Sequence, residues 1–230
     1  MASSRTGGIP HITGTAQTVA VIGLGRFGTA LALELMRTGA EVLGVDGSEE
    51  IVQGLNGRLS RVVQADTTKP EVLEQLGVTS FDRVVVAIGS HIEASILTTS
   101  LLLRAGVKEL WAKAVSKPHA LILEQLGVPH VVRPERDMGR RVAHLVRGSM
   151  QDFLRIGDDF SLVTMKPALA LTGAPLSELS IRRRYDVTIA AVKPAGQTWT
   201  YATAETVLGP DDLILVTGAT ERVEHFAQLR

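Results

Sequence analysis

From Thr18 to Asp46 the chain reads TVAVIGLGRFGTALALELMRTGAEVLGVD, and the order of the remaining elements follows from it. Val19, Ala20, Val21 and Ile22 form a short apolar run, the pattern of a strand buried on both faces. Gly23, Gly25 and Gly28 then stand at G-x-G-x-x-G spacing. That spacing lets the backbone turn tightly, approach a pyrophosphate, and pack the next helix against the strand. The helix carries the apolar stripe Phe27, Leu31, Leu35 and stops at Arg37 and Thr38 before Gly39. Glu41 to Val45 read as a second strand delivering Asp46 at its tip, where the dinucleotide fingerprint places an acid against a ribose hydroxyl. The whole stretch predicts a nucleotide-binding βαβ unit, whereas a bare glycine turn leaves Asp46 without a role.

Arg26 sits inside the loop, beside the helix N-terminus, where backbone donors and the positive dipole end favour an anion. Its guanidinium adds charge-assisted hydrogen bonds of about 1.5 to 3 kcal/mol each to a phosphate. Extra charge suits a terminal phosphate. The competing reading is a solvated helix-start residue, and a cation there opposes the dipole unless an anion compensates.

Composition narrows the classes. The 230 residues carry 24 basic and 24 acidic side chains, and a zero balance argues against wholesale nucleic-acid binding, which needs a basic face. There is no cysteine, so disulfides, thiolate chemistry and cysteine-ligated zinc are excluded. No apolar run approaches the ~18 residues of a membrane span, and the N-terminus lacks a signal-peptide layout, so a soluble cytoplasmic protein is expected. Residues 1–16, MASSRTGGIPHITGTA, read as a disordered leader.

After Asp46 the alternation continues. Residues 49–56 predict a short helix, 61–64 a strand, and Asp66 follows that strand, where it serves either the adenine side of a ligand or the cap of the helix from Lys69 to Leu76. Val84 to Ile88 form the clearest central parallel strand, ended by Gly89. A helix over 92–103, a strand over 109–112, a helix over 118–126 and a strand over 130–132 complete a doubly wound sheet spanning 17–134. Glycines 39, 77, 106 and 127 each stand just past a helix end, where the left-handed conformation costs them little. LEQLGV occurs at 73–78 and again at 123–128, the same local solution used twice without a fixed repeat period.

Near Pro134 the alternation stops. Residues 135–150 predict a crossover helix running toward Ser149, with acids early, arginines later, and a stripe of Met138, Val142 and Leu145 in need of a partner surface. From 151 to 230 strands are expected at 161–165, 187–192 and 213–217, with a weak one at 199–201 and helices at 176–179 and 220–229. Asp211 and Asp212 read as a turn. A unit of about 75 residues is marginal unless it associates, which points to a dimerising, ligand-sensing module.

The segments GLGRFG, VVVAIGSHIEASILTTSLLLRAGVKELWAKA, HVVRPERDMGRRVA, IRRRYDVTIAAVKP and GPDDLILVTG resemble the cytosolic RCK proteins (regulators of potassium conductance) of the KtrA and TrkA type, from about Gln17 to Arg230. The RFG of the glycine loop and the PERDMG of the crossover helix are the most specific matches. The resemblance implies a Rossmann-like doubly wound N-terminal domain with a small α+β C-terminal domain. It implies a non-catalytic gating subunit whose dimers assemble into an octameric ring on a membrane potassium channel or transporter. ATP and ADP, or NAD and NADH in several relatives, are the expected ligands. Carried over, the nucleotide set is Gly23, Gly25, Arg26, Phe27, Gly28, Asp46, Asp66, Ala87, Ile88, Gly89 and Glu93, with Arg26 on phosphates, Asp46 on ribose, and Asp66 and the Ala87–Gly89 turn on the adenosine side. Glu135 matches a family glutamate that helps hold Mg2+ or another divalent cation beside the phosphates at a subunit interface. From the residues alone, a first-turn acid stabilising the helix dipole fits Glu135 equally well. The C-terminal module implies a cyclic di-AMP pocket at Ile181, Arg184 and Ile189, although Arg182, Arg183 and Arg184 also read as a solvated turn.

Two rivals share the glycine loop. A small NAD-dependent dehydrogenase or redox-sensing NAD-binding protein fits Asp46, but there is no Tyr-x-x-x-Lys pair and no clear pairing of the histidines with acids after the sheet. A methyltransferase gives Arg26 no role.

Overall fold

A computed structural model describes residues 16–146 and 150–229. Residues 1–15 of the expected leader, and residues 147–149 at the expected end of the crossover helix, lie outside the described residues. The chain divides after Pro134 into two compact units.

The first unit is built on six parallel strands in the order β3-β2-β1-β4-β5-β6. These are β1 (Thr18–Ile22), β2 (Glu41–Asp46), β3 (Arg61–Gln64), β4 (Arg83–Val86), β5 (Leu110–Lys113) and β6 (His130–Val132). Five helices alternate with them: α1 (Arg26–Arg37), α2 (Glu49–Leu55), α3 (Pro70–Gln75), α4 (Ile92–Arg104) and α5 (Lys117–Gln125). The central strands read as continuous apolar runs because helices cover both faces. On one face Ala20, Ile22, Val84, Val86 and Leu110 pack with Leu102 and Leu123; on the other, Val19, Val21 and Val85 pack with Ala32 and Leu55.

β4 stops two residues before the expected Ile88, since its register with β1 ends at the Ile22 and Val86 pair. Ala87 still donates to the Ile22 carbonyl at 2.7 Å, and the chain then leaves the sheet, so Ala87 to Gly89 become a loop at the strand's C-terminal end.

The second unit begins on α6 (Pro134–Val146) and contains a five-stranded antiparallel sheet, β10-β9-β11-β8-β7. Its strands are β7 (Asp152–Ile156), β8 (Phe160–Met165), β9 (Val187–Lys193), β10 (Thr200–Tyr201) and β11 (Leu213–Ala219). Helices α7 (Leu176–Leu179), α8 (Ile181–Tyr185) and α9 (Thr220–Phe226) complete it, and Val163, Met165, Ile214 and Val216 form its core with Ile181, Val223 and Phe226. Arg182 to Arg184 belong to α8 and not to a turn. β7 has no counterpart among the expected strands: of its five side chains only Phe153 is buried, and pairing with β8 makes the strand. Asp212 accepts from the backbone N–H groups of Gly209 (2.7 Å) and Ala195 (3.2 Å), which makes the expected turn.

The later half of α6 packs on this unit. Arg141 donates to Asp152, the ring of His144 stacks on Phe153 with centroids 3.9 Å apart, and Leu145 packs against the core. His144 Nδ1 also lies 3.3 Å from Glu224 Oε1, a histidine–acid pair that the spacing of the sequence does not predict. Met138 and Val142, from the expected stripe, remain exposed.

Candidate functional site

The strand order reverses between β1 and β4, with β2 and β3 laid down on one side and β5 and β6 on the other, so the crevice outside their C-terminal ends is where an open α/β sheet takes a ligand. The three glycines there have different jobs. Gly23 adopts φ +91°, and a Cβ on it would stand 2.8 Å from the Ile88 nitrogen. A Cβ on Gly28 would run into the Gly23 carbonyl oxygen and crowd Ala87. Gly25 differs. Its φ of −63° suits any residue, and an added Cβ would meet nothing within 4 Å, so the protein's own packing does not require glycine there. The space that Gly25 leaves open faces the N-terminus of α1, which no side chain caps and whose first turn carries Arg26 and no acid. Backbone N–H groups without a side-chain cap and an exposed arginine both favour an anion at this helix start.

Asp46 closes the loop from the side. Its Oδ2 accepts from the Leu24 N–H at 2.7 Å and its Oδ1 from the Ser48 N–H at 2.8 Å, and each oxygen retains a lone pair for a hydroxyl donor. Phe27 is half-buried at the start of α1, and Ile88 and Gly89 are half-buried in the loop after β4.

Asp66 follows β3 at the same edge of the sheet. Its carboxylate accepts from the hydroxyl (2.7 Å) and the N–H (3.1 Å) of Thr68, and these bonds, the hydroxyl's first, hold its pKa below the usual carboxylate value. Lys69, not Asp66, is the N-cap of α3, so the expected helix cap is instead a brace of the loop before it. Glu93 stands exposed in the first turn of α4. Glu135 stands in the first turn of α6, in the second unit.

Lys113 escaped the sequence reading. It ends β5 with only 8% of its surface exposed, its Nζ 5.5 Å from the Phe27 ring centroid and 3.3 Å from where a Gly89 Cβ would stand. Lys113 therefore lines the back of the crevice, between the glycine-loop helix and the loop after β4. The signal was present in WAKA, a lysine closing an otherwise apolar strand.

In the second unit a cavity of about 460 Å³ is lined by Ile181, Ile189, Arg182 and Arg183 among others. Arg184 does not line it; its guanidinium lies 5.2 Å from the Tyr185 ring centroid. Successive residues of α8 point in different directions, so the pocket takes the two arginines before the one expected. Among the described residues no three metal-binding side chains converge, and no helix is long and apolar enough to cross a membrane.

Sheet order, glycine loop and strand-tip acid place the first unit in the class of nucleotide-binding doubly wound domains. Residues 19–134 match the TrkA-N domain family. The chain is 38% identical over 208 residues to the Ktr system potassium uptake protein C of Bacillus subtilis (strain 168), covering 90% of this chain and 94% of that protein. It is 35% identical over 205 residues to the Ktr system potassium uptake protein A of Vibrio alginolyticus, covering 89% and 93%. The chain therefore belongs to the Ktr potassium uptake protein family, with a TrkA-N domain as its first unit. Among solved structures the GsuK RCK domain shares the fold over 96% of this chain, with a TM-score of 0.64 at 18% identity; this chain spans about half (49%) of its length.

Proposed function

We propose that this protein is a nucleotide-sensing, non-catalytic regulatory subunit of a membrane potassium-uptake system, held at the cytoplasmic face through its partner. The observation that carries the nucleotide half is Gly25, a glycine the fold does not need, opening onto an uncapped helix start beside Arg26. The potassium half rests on the Ktr relatives, which align over nearly their whole length.

ATP and ADP are the proposed ligands, with Arg26 on the phosphates, Asp46 on the ribose, Lys113 and Phe27 beside the crevice, and Ala87–Gly89, Asp66 and Glu93 toward the adenosine. NAD or NADH is the competing ligand: the GsuK channel has been solved bound to NAD and GsuK bound to ADP. Glu135 supplies one carboxylate, and magnesium is commonly held by one or two carboxylates with phosphates and waters. A cation site completed by phosphate and a second subunit couples nucleotide to assembly, here into dimers and an octameric ring. Exposed Met138 and Val142 on α6 are a surface for such association. Cyclic di-AMP is proposed as a second ligand at the Ile181 and Ile189 cavity, with Arg182 and Arg183 in the place expected of Arg184.

Thermal unfolding with ATP, ADP, NAD, NADH and S-adenosylmethionine tests the site, since a ligand at 100 times its Kd adds about 2.7 kcal/mol. ATP and ADP should give the largest shifts. Exclusive NADH binding, or turnover of a hydroxy acid, would select the dehydrogenase. Nucleotide-dependent potassium flux in vesicles carrying a co-purified membrane subunit tests the rest.

A further inference from the structure

β5 leaves the sheet into the turn Ala114–Ser116, and α5 begins at once with Ser116 as its N-cap. Ser116 Oγ accepts from the His119 N–H at 3.2 Å, so the helix start is already capped. The imidazole of His119 then reaches back one residue further: its Nδ1 accepts from the Val115 N–H at 3.4 Å. With Nδ1 an acceptor, the ring proton belongs on Nε2. The residue is 1% exposed, and Nε2 has no hydrogen-bond partner among the described residues. An apolar side chain would fill this space without burying an unpaired N–H, so what the histidine contributes is Nδ1.

What Nδ1 holds is the wall of the crevice. Val115 Cγ1 lies 3.4 Å and Lys113 Nζ 3.3 Å from where a Cβ on Gly89 would stand, so the turn after β5 is seated against the loop after β4.

We propose that His119 is a positioning residue of the nucleotide site. Through the Val115 amide it sets the β5–α5 turn against Gly89, and so shapes the adenosine side of the crevice without touching the ligand. This rests on the nucleotide reading above.

The test is calorimetric binding of ATP and of adenosine to the full chain, wild type against His119→Asn, His119→Gln and His119→Leu, with ligand-free melting temperatures alongside. Asparagine puts an amide acceptor near the Nδ1 position; glutamine carries it past; leucine has none. The Asn variant should bind within about threefold of wild type, while Gln and Leu lose about tenfold for ATP and adenosine alike, whatever their melting temperatures. If Leu does not fold, the Asn and Gln pair carries the same comparison. Gln and Leu variants that bind as wild type does, or an Asn variant as impaired as they are, overturn the role of His119 and leave the nucleotide reading standing. A wild type that binds neither ligand overturns both.

Discussion

The backbone N–H of Leu24 donates to Oδ2 of Asp46 at 2.7 Å, tying the middle of the glycine loop to the tip of the neighbouring strand. The residue expected to meet a ribose is therefore also a brace of the phosphate loop, with its second oxygen on the Ser48 N–H. Asp46→Ala leaves the N–H of a nearly buried Leu24 without its acceptor. It should cost about 1.5 to 3 kcal/mol in urea denaturation of the ligand-free protein. Asp46→Asn keeps one acceptor oxygen and should recover part of that loss. A ligand-free stability equal to wild type in Asp46→Ala would reduce Asp46 to a ligand contact only.

Gly25 and Gly28 separate folding from binding. Gly28→Ala drives a methyl into the Gly23 carbonyl and should destabilise the protein by about 3 kcal/mol or more. Gly25→Ala has room and an ordinary φ, so it should melt within about 0.5 kcal/mol of wild type yet lose nucleotide affinity. Intact binding in Gly25→Ala would mean that no ligand approaches the loop there.

Arg26→Ala should weaken ATP and ADP by about 1.5 to 3 kcal/mol while sparing adenosine, as expected for one charged hydrogen bond to phosphate. Titrations of the three ligands decide it. Equal losses for all would make Arg26 a support of the loop.

Burial lowers the His119 pKa below its ordinary 6.5. The unfolded chain therefore takes up a proton near pH 6.5 that the folded imidazole refuses. The stability this group protects is fully present above about 6.5 and is lost as pH falls through the lowered folded value. Wild-type stability should fall on acidification more steeply than that of His119→Asn, measured as the difference in denaturation midpoint between pH 7.5 and 5.5. Parallel profiles would mean that the buried ring takes up its proton at the ordinary pH.

Glu135→Gln should abolish magnesium enhancement of ATP-dependent assembly in sedimentation while leaving metal-free ATP affinity nearly unchanged. If the magnesium response persists, Glu135 holds no cation and its role in the first turn of α6 is structural.

The first unit was legible because its signals are local. An apolar run, three spaced glycines and a helix-stop glycine each constrain the residues beside them, so β1, α1 and β2 lie within a residue of where the sequence puts them. β7 was not legible, because DFLRI has one buried side chain and owes its strand to hydrogen bonds from β8. The His144–Glu224 pair and the cavity's use of Arg182 and Arg183 depend likewise on chain brought from elsewhere.

Taken alone, the amino-acid order determined the alternating architecture, the glycine loop and the acid at the strand tip, since periodicity and backbone freedom are properties of neighbouring residues. Tertiary structure decided which glycine serves packing and which leaves room, that Asp46 braces Leu24, and that Lys113 and His119 stand behind the crevice. Those are relations between segments tens of residues apart, and they exist only once parallel strands bring their C-terminal ends to one edge.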